Sequence, residues 1–206
     1  MHKMLRIVVS GLIVTVLALG FFVSTNAAVS GPFEDGYAAN RSGDYAAALK
    51  IWRPLAEEGN VFAQNALGMM YNNGKGVPQD RTEAMRWDRL AAYQGDANSQ
   101  FNLGDMYYKG QDVAQNYTEA MKWYRLAAYQ GDANAQFAIG GMYLNAEGAR
   151  RDYVRAYMWF NLSAANHNER AVNSRDSVES LLSPTGIKKA QELTRICKDS
   201  KYTKCD

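Results

Sequence analysis

One stretch of this sequence is written three times, and that repetition constrains the fold more than anything else in it. Residues 63–98 read AQNALGMMYNNGKGVPQDRTEAMRWDRLAAYQGDAN. Residues 99–134 read SQFNLGDMYYKGQDVAQNYTEAMKWYRLAAYQGDAN, and residues 135–170 read AQFAIGGMYLNAEGARRDYVRAYMWFNLSAANHNER. Each copy is about 36 residues long, and the three align without a gap. A fixed period of this size marks a stacked array, in which each unit buries its apolar side against its neighbours.

Each copy divides into two helices. Helix A, about 61–72 in the first copy, carries the constant residues Ala63, Leu67, Met70 and Tyr71 at i, i+4, i+7 and i+8, one face of a helix. Helix B, about 81–94, carries Ala84, Trp87, Leu90 and Ala91 on its own inward side. Trp87, Trp123 and Trp159 share one repeat position there, which makes them core rather than a ligand-stacking platform. Asp80 with Glu83, and Asn116 with Glu119, have the spacing of a capping box, whereas Asp152 is followed by Arg155. Gly95 and Gly131 end helix B, and Asp96 and Asp132 cap the next helix A. His167 stands where the third copy should have that glycine, so a different turn is expected. The loop position filled by Gly76, Asp112 and Gly148 suits a left-handed residue and is turn chemistry, since no phosphate-binding Lys-Ser/Thr follows it.

Residues 29–60 hold a degenerate unit, with helices over 33–42 and 45–58. Its register is imperfect, because Ile51 rather than Trp52 falls opposite Trp87, and Pro54 should kink or weaken its second helix. Terminal units are expected to be atypical, so Trp52 should bear less load than Trp123. Beyond Arg170 the period fails. A helix over 171–182 would turn Val172, Val178, Leu181 and Leu182 inward. Ser183-Pro184 would start another over 184–197, with Ile187, Ala190, Leu193 and Ile196 inward. Together residues 171–206 would cap the exposed end of the third copy.

The chain opens with a basic start (Lys3, Arg6), an apolar run over 7–23 and the small residues Ala27 and Ala28. This is the pattern of a secretory signal peptide over residues 1–28; the alternative is an uncleaved anchor, which would make the protein a membrane-tethered assembly factor. Cleavage predicts a periplasmic or secreted protein with no stable membrane insertion. Lys3 and Arg6 are the only charged side chains before Ala28, so the remainder has equal numbers of basic and acidic residues. A neutral chain gives no reason to expect nucleic acid as a partner. Cys197 and Cys205 are the only cysteines. In an exported chain such a pair suggests a disulfide, with free thiols or a bridge to another chain as alternatives.

The motif A-x-x-x-L-G-x-M-Y-x-x-G-x-G-V-x-Q-D at 63–80, with A-x-x-W-x-x-x-A-A-x-x-G at 84–95, resembles the Sel1-like repeat family. The resemblance is strong over 63–166 and weak over 33–59, and the segment 152–165 with the helices around Ser183-Pro184 is similar to exported bacterial members. It implies an all-α, right-handed α-solenoid of antiparallel helix pairs, related to tetratricopeptide repeats, that works by binding other proteins. The recurrent Gly68, Gly104 and Gly140 would let helix A approach helix B near Ala84 or Ala91 and their equivalents.

Catalytic signatures are absent from the sequence. His167 has no second His or Cys beside it for a zinc site, and no Ser stands three before a Lys. Neither an enzymatic activity, a metal nor a cofactor is expected. A hydrolase acting on the cell wall or on β-lactams is the alternative, and it would need a site that the sequence does not display. A binding surface is easier to locate. One helix-A stripe varies between copies while the packing positions hold: Asn65, Met69, Asn72; then Phe101, Asp105, Tyr108; then Phe137, Gly141, Leu144. These fall at i, i+4 and i+7, on one side of each helix and along the concave wall of a superhelix. Apolar and aromatic members of such a stripe suit anchoring a protein or peptide, although Phe101 and Phe137 fit core between adjacent A helices as well.

If Cys197 and Cys205 pair within the chain, unfolded but unreduced protein should take up almost no thiol label. Full labelling of both residues in material from an oxidising compartment would refute the pairing.

Overall fold

The computed structural model describes residues 31–110 and 113–205, so the expected export signal over 1–28 and loop residue Asp112 lie outside the described residues. Among the described residues the chain is helical throughout. The helices are α1 (Pro32–Ser42), α2 (Tyr45–Glu57), α3 (Val61–Asn73), α4 (Arg81–Tyr93), α5 (Ala97–Lys109), α6 (Tyr117–Ala128), α7 (Ala133–Asn145), α8 (Tyr153–Ala165), α9 (Glu169–Glu179) and α10 (Pro184–Asp199). From α1 to α9 each packs on the next, α10 packs back on α8, and α3 also touches α5, where the first helices of two successive units lie side by side. The architecture is the right-handed α-solenoid. No described helix is long and apolar enough to cross a membrane.

Capping side chains punctuate the array. Asn60, Asp96 and Asp132 accept from the backbone N–H three residues on, at 2.9, 2.7 and 2.6 Å, and so start each helix A. Asp80, Asn116 and Asp152 do the same for helix B. The reciprocal half of the expected capping box is replaced. Glu83 turns to Arg86 instead, and the Asp80 N–H donates to the Tyr71 carbonyl at 3.0 Å. The Asn116 and Asp152 N–H groups make the same bond to Tyr107 and Tyr143, which fixes where each loop rejoins its own unit.

His167 does not redirect the chain. Its φ of 67° is the left-handed conformation that Gly59, Gly95 and Gly131 adopt at the same place. The turn out of the third copy therefore matches the others, at the roughly 1–2 kcal/mol that a side chain costs there. Helix α2 likewise runs on through Pro54 to Glu57.

Contact within a unit occurs at a glycine, though not opposite the alanines. A methyl group on Gly68, Gly104 or Gly140 would come within 2.9, 2.5 or 2.7 Å of Asp88, Tyr124 or Phe160. Gly36 in the first unit meets Trp52 in the same way, at 2.3 Å. This explains the imperfect register: Trp52 is the counterpart of Asp88, Tyr124 and Phe160, and Ile51 that of Trp87. The same geometry places Leu90 and Leu126 outside, where both are exposed. At about 100° per residue, Leu90 lies about 120° around the helix from Ala84 and Asp88 only about 40°.

Above each glycine contact, a residue of helix A lies on the large side chain of helix B. Phe33 stacks on Trp52 with ring centroids 5.7 Å apart, Phe101 on Tyr124 at 5.6 Å, and Phe137 on Phe160 at 5.4 Å. The first full copy breaks this ladder with Asn65 and Asp88. Asp88 is 1% exposed. It accepts from Asn102 at 3.2 Å and bonds to Ser99, whose hydroxyl also takes the Asn65 amide at 2.9 Å. One period later, Ala135 and Ala138 stand where Ser99 and Asn102 do. Burial pushes the Asp88 carboxyl up to about 7, against the opposing pull of its bonds to Asn102 and Ser99.

Units are joined by buried amides. Gln64, Gln100 and Gln136 donate to the carbonyls of Ala56, Ala92 and Ala128 in the preceding unit, at 3.0, 3.1 and 3.1 Å. Gln94, Gln130 and Asn166 close over them, each donating to the previous glutamine's oxygen at 2.8, 2.8 and 2.9 Å.

Both C-terminal helices pack on α8 and bury Leu162, whose counterparts in earlier copies are exposed. Their inward residues are Ala171 and Val178, then Ala190, Thr194 and Cys197. Val172, Leu181 and Ile196, expected inward, are exposed, because the smaller residues sit where α8 approaches. Cys197 and Cys205 form a disulfide with Cα atoms 4.6 Å apart, and the Tyr202 hydroxyl in the loop between them bonds to Asn166.

Trp52 is as deeply buried as Trp123 and its indole N–H donates to the Phe33 carbonyl at 3.1 Å. Contrary to the expectation of a lightly loaded first unit, Trp52→Ala and Trp123→Ala should each cost about 3–5 kcal/mol in chemical denaturation. A loss under about 1 kcal/mol at Trp52 would show the first unit to be dispensable. Asp88 gives a second check. Its folded value near 7 lies above the ordinary 3.9 or so of an unfolded Asp, so the folded chain holds the extra proton between those values. Its contribution to stability is present below about pH 4 and is lost as pH rises towards 7, at up to about 1.4 kcal/mol per pH unit. Asp88→Asn should therefore gain on the parent chain in urea midpoint from pH 5 to pH 8. A constant gap would refute the buried acid.

Candidate functional site

The variable stripe of helix A begins one unit earlier than the repeat period indicates. Phe33, Tyr37 and Asn40 on α1 stand at i, i+4 and i+7, in line with Asn65, Met69 and Asn72 on α3. The shift is 32 residues rather than 36, because Gly43 and Asp44 alone connect α1 to α2. With that hairpin allowed for, the sequence carries the signal.

Side-chain environments along the stripe differ. Met69 is 52% exposed and Asn72 is exposed, while Asn65 is half-buried by its bond to Ser99. Phe101 and Phe137 are half-buried on the ladder, and the Arg170 guanidinium lies 4.9 Å over the Phe137 ring. Leu144 is half-buried against the core of the third copy. Asp105 pairs with Lys109 on its own helix. The Tyr108 hydroxyl donates to Glu147 at 2.9 Å, and burial together with that carboxylate pushes its titration up to about 12. Gly141 faces open space.

Two depressions follow the stripe. The first, of about 220 Å³, lies between α1, α3 and the start of α5, and is lined by Phe33, Tyr37, Asn40, Phe62, Asn65, Met69 and Asn98 among others. Tyr37 and Phe62 are 53% and 63% exposed there. Phe62 escaped the sequence reading, although its column holds Asn98 and Asn134 in the other copies. The second, of about 260 Å³, is polar and lined by Asn72, Gln79, Arg81, Asn102, Asp105 and Lys109. Asn73 borders both, so they are contiguous. Among the described residues no group of three or more His, Cys, Asp or Glu is placed to hold a metal ion. The first depression can bind by apolar contact and amide hydrogen bonds, and the second adds the charged groups Arg81, Asp105 and Lys109.

Comparison with known proteins identifies the repeat and the fold. The Sel1 repeat is matched over residues 61–96, 97–132 and 133–168. A Sel1 repeat protein from Oxalobacter formigenes has a similar structure, with a TM-score of 0.65 and 33% identity over 69% of this chain and 57% of that one. A protective antigen present in uropathogenic Escherichia coli strains, displaying an SLR fold, gives 0.57 and 26% over 83% and 46%. The chain thus spans about half the length of each. No curated protein matches it. Sel1 repeat proteins are generally protein-interaction scaffolds and typically non-catalytic. With three matched copies covering more than half of its 206 residues, the chain belongs to the Sel1 repeat family.

Proposed function

We propose that this protein is a non-catalytic scaffold of the cell envelope or the extracellular space, holding another protein or peptide along its helix-A surface. The observation that carries this is the stripe itself. Across four units it stays in register while its side chains change from aromatic to amide to carboxylate, and two contiguous depressions follow it. Phe33, Phe101 and Phe137 also hold the ladder, whereas the exposed members Tyr37, Met69 and Asn72 are free to encode a partner. The apolar run over 7–23 and the Cys197–Cys205 disulfide support export, since such bonds persist in oxidising compartments.

Tyr108 is engaged by Glu147, so Met69, which is exposed, and Asp105, half-buried with its Lys109 pair at the surface, make the better test. Immobilised protein should retain partners from an envelope extract, and Met69→Glu with Asp105→Arg should reduce that retention about tenfold or more, with an unchanged melting temperature. Leu90→Glu, on the opposite helix, should leave it intact. Equal loss with both variants, or none with either, would reject the helix-A surface.

A further inference from the structure

The missing rung of the aromatic ladder opens into the first depression. Where Phe33, Phe101 and Phe137 place rings, Asn65 places a small amide, and the space above it is rimmed by Phe33, Tyr37, Phe62 and Met69. At about 220 Å³ it falls below the roughly 300–1,000 Å³ of pockets that enclose a small molecule, and has room for one large side chain.

The polar groups around it narrow the occupant. Asn40, Asn73 and Asn98 border the space, and their side chains make no hydrogen bond to other described residues. A primary amide offers donors and an acceptor in one plane, the complement of a peptide group's C=O and N–H. A helix has already satisfied its own backbone internally, whereas an extended segment presents both groups outward. Two charged groups border it, one of each sign: Asp96, which caps α5, and Lys75, whose ammonium lies 5.5 Å from the Tyr45 ring. A segment of either net charge would meet one attraction and one repulsion here, which leaves an uncharged one favoured.

We propose that this depression takes an extended, uncharged segment of a partner polypeptide, with one bulky apolar side chain over the missing rung and the segment's backbone held by asparagine amides. The proposal rests on the scaffold reading and names the chemistry of its partner. The ladder's interruption then serves recognition: the guest side chain stands where the other copies keep a ring of their own. Asn65, which borders the space, is already bonded to Ser99, and Ser99 and Asn102 in turn to Asp88, so that amide asks nothing of an apolar guest.

The test is selection of short random linear peptides, displayed on phage, against the whole immobilised protein. Enriched peptides should share one Leu-, Met- or Phe-sized side chain flanked by uncharged residues. A synthetic peptide of that sequence should lose affinity about tenfold or more with Phe62→Glu and with Asn65→Phe, which restores the ring. Asn73→Ala with Asn98→Ala should weaken it several-fold. Because Phe62 is exposed, Phe62→Glu keeps the test open even if Asn65→Phe fails to fold. Peptides that bind Asn65→Phe and Phe62→Glu as well as the parent but fail on Asp105→Arg would overturn this site and leave the scaffold reading standing. Enrichment of charged or helical peptides, or a dimer dissolved by Phe62→Glu with no peptide selected, would also overturn it. Failure to select any peptide, with no envelope protein retained either, would remove both readings.

Discussion

The two helices of each unit lie as close as they do because a glycine faces a large side chain. Glycine in a helix costs about 1 kcal/mol against alanine, yet Gly36, Gly68, Gly104 and Gly140 all stand where a methyl group would strike the partner helix. Burial of a ring as large as that of Trp52, Tyr124 or Phe160 more than offsets the cost. This approach sets the rotation of helix B, and the rest follows from it: the tryptophans of the next column turn inward, Leu90 and Leu126 turn out, and the ladder residues meet above the glycine.

Much of this was legible in the sequence, because repetition separates what packing requires from what it tolerates. Helix pairs, caps, the inward tryptophans and the recurrent glycines all follow from the agreement of three copies. What the glycines touch did not follow. Asp88, Tyr124 and Phe160 share one position but not one chemistry, so a column that mixes acid and ring does not read as a contact. The C-terminal helices show the opposite error. There Val178 and Ala190 are buried and Leu182 and Leu193 pack on the core as expected, but Ala171, Thr194 and Cys197 take the remaining inward places, and Val172, Leu181 and Ile196 stay outside. Without a second copy for comparison, size alone could not separate the two cases.

The stripe on helix A was readable in its three full copies and hidden in the first unit, where a two-residue hairpin shifts the phase. That shift conceals Phe33, Tyr37 and Asn40 from any comparison at a constant period, although they complete the apolar end of the groove. Phe62 was concealed differently, since helix position alone placed it neither inward nor on the stripe. The contrast between the Asn65–Asp88 rung and its aromatic neighbours shows how a repeat frame can change its chemistry locally. Asp88 keeps its carboxyl within the stack only because Ser99 and Asn102 change with it.

The amide clasp between units also has a direction. In every instance the glutamine of the later unit supplies the donor, and a carbonyl of the earlier unit, already paired with the turn glycine that follows its helix, supplies the acceptor. The clasp therefore runs one way along the stack. A chain emerging N-terminus first from a ribosome or an export pore meets, at each new unit, a surface already complete and waiting for it. An order running the other way would leave Gln64, Gln100 or Gln136 folded with no acceptor to reach. Synthesis runs in that same sense, and the tail tied by Cys197 and Cys205 covers the third copy.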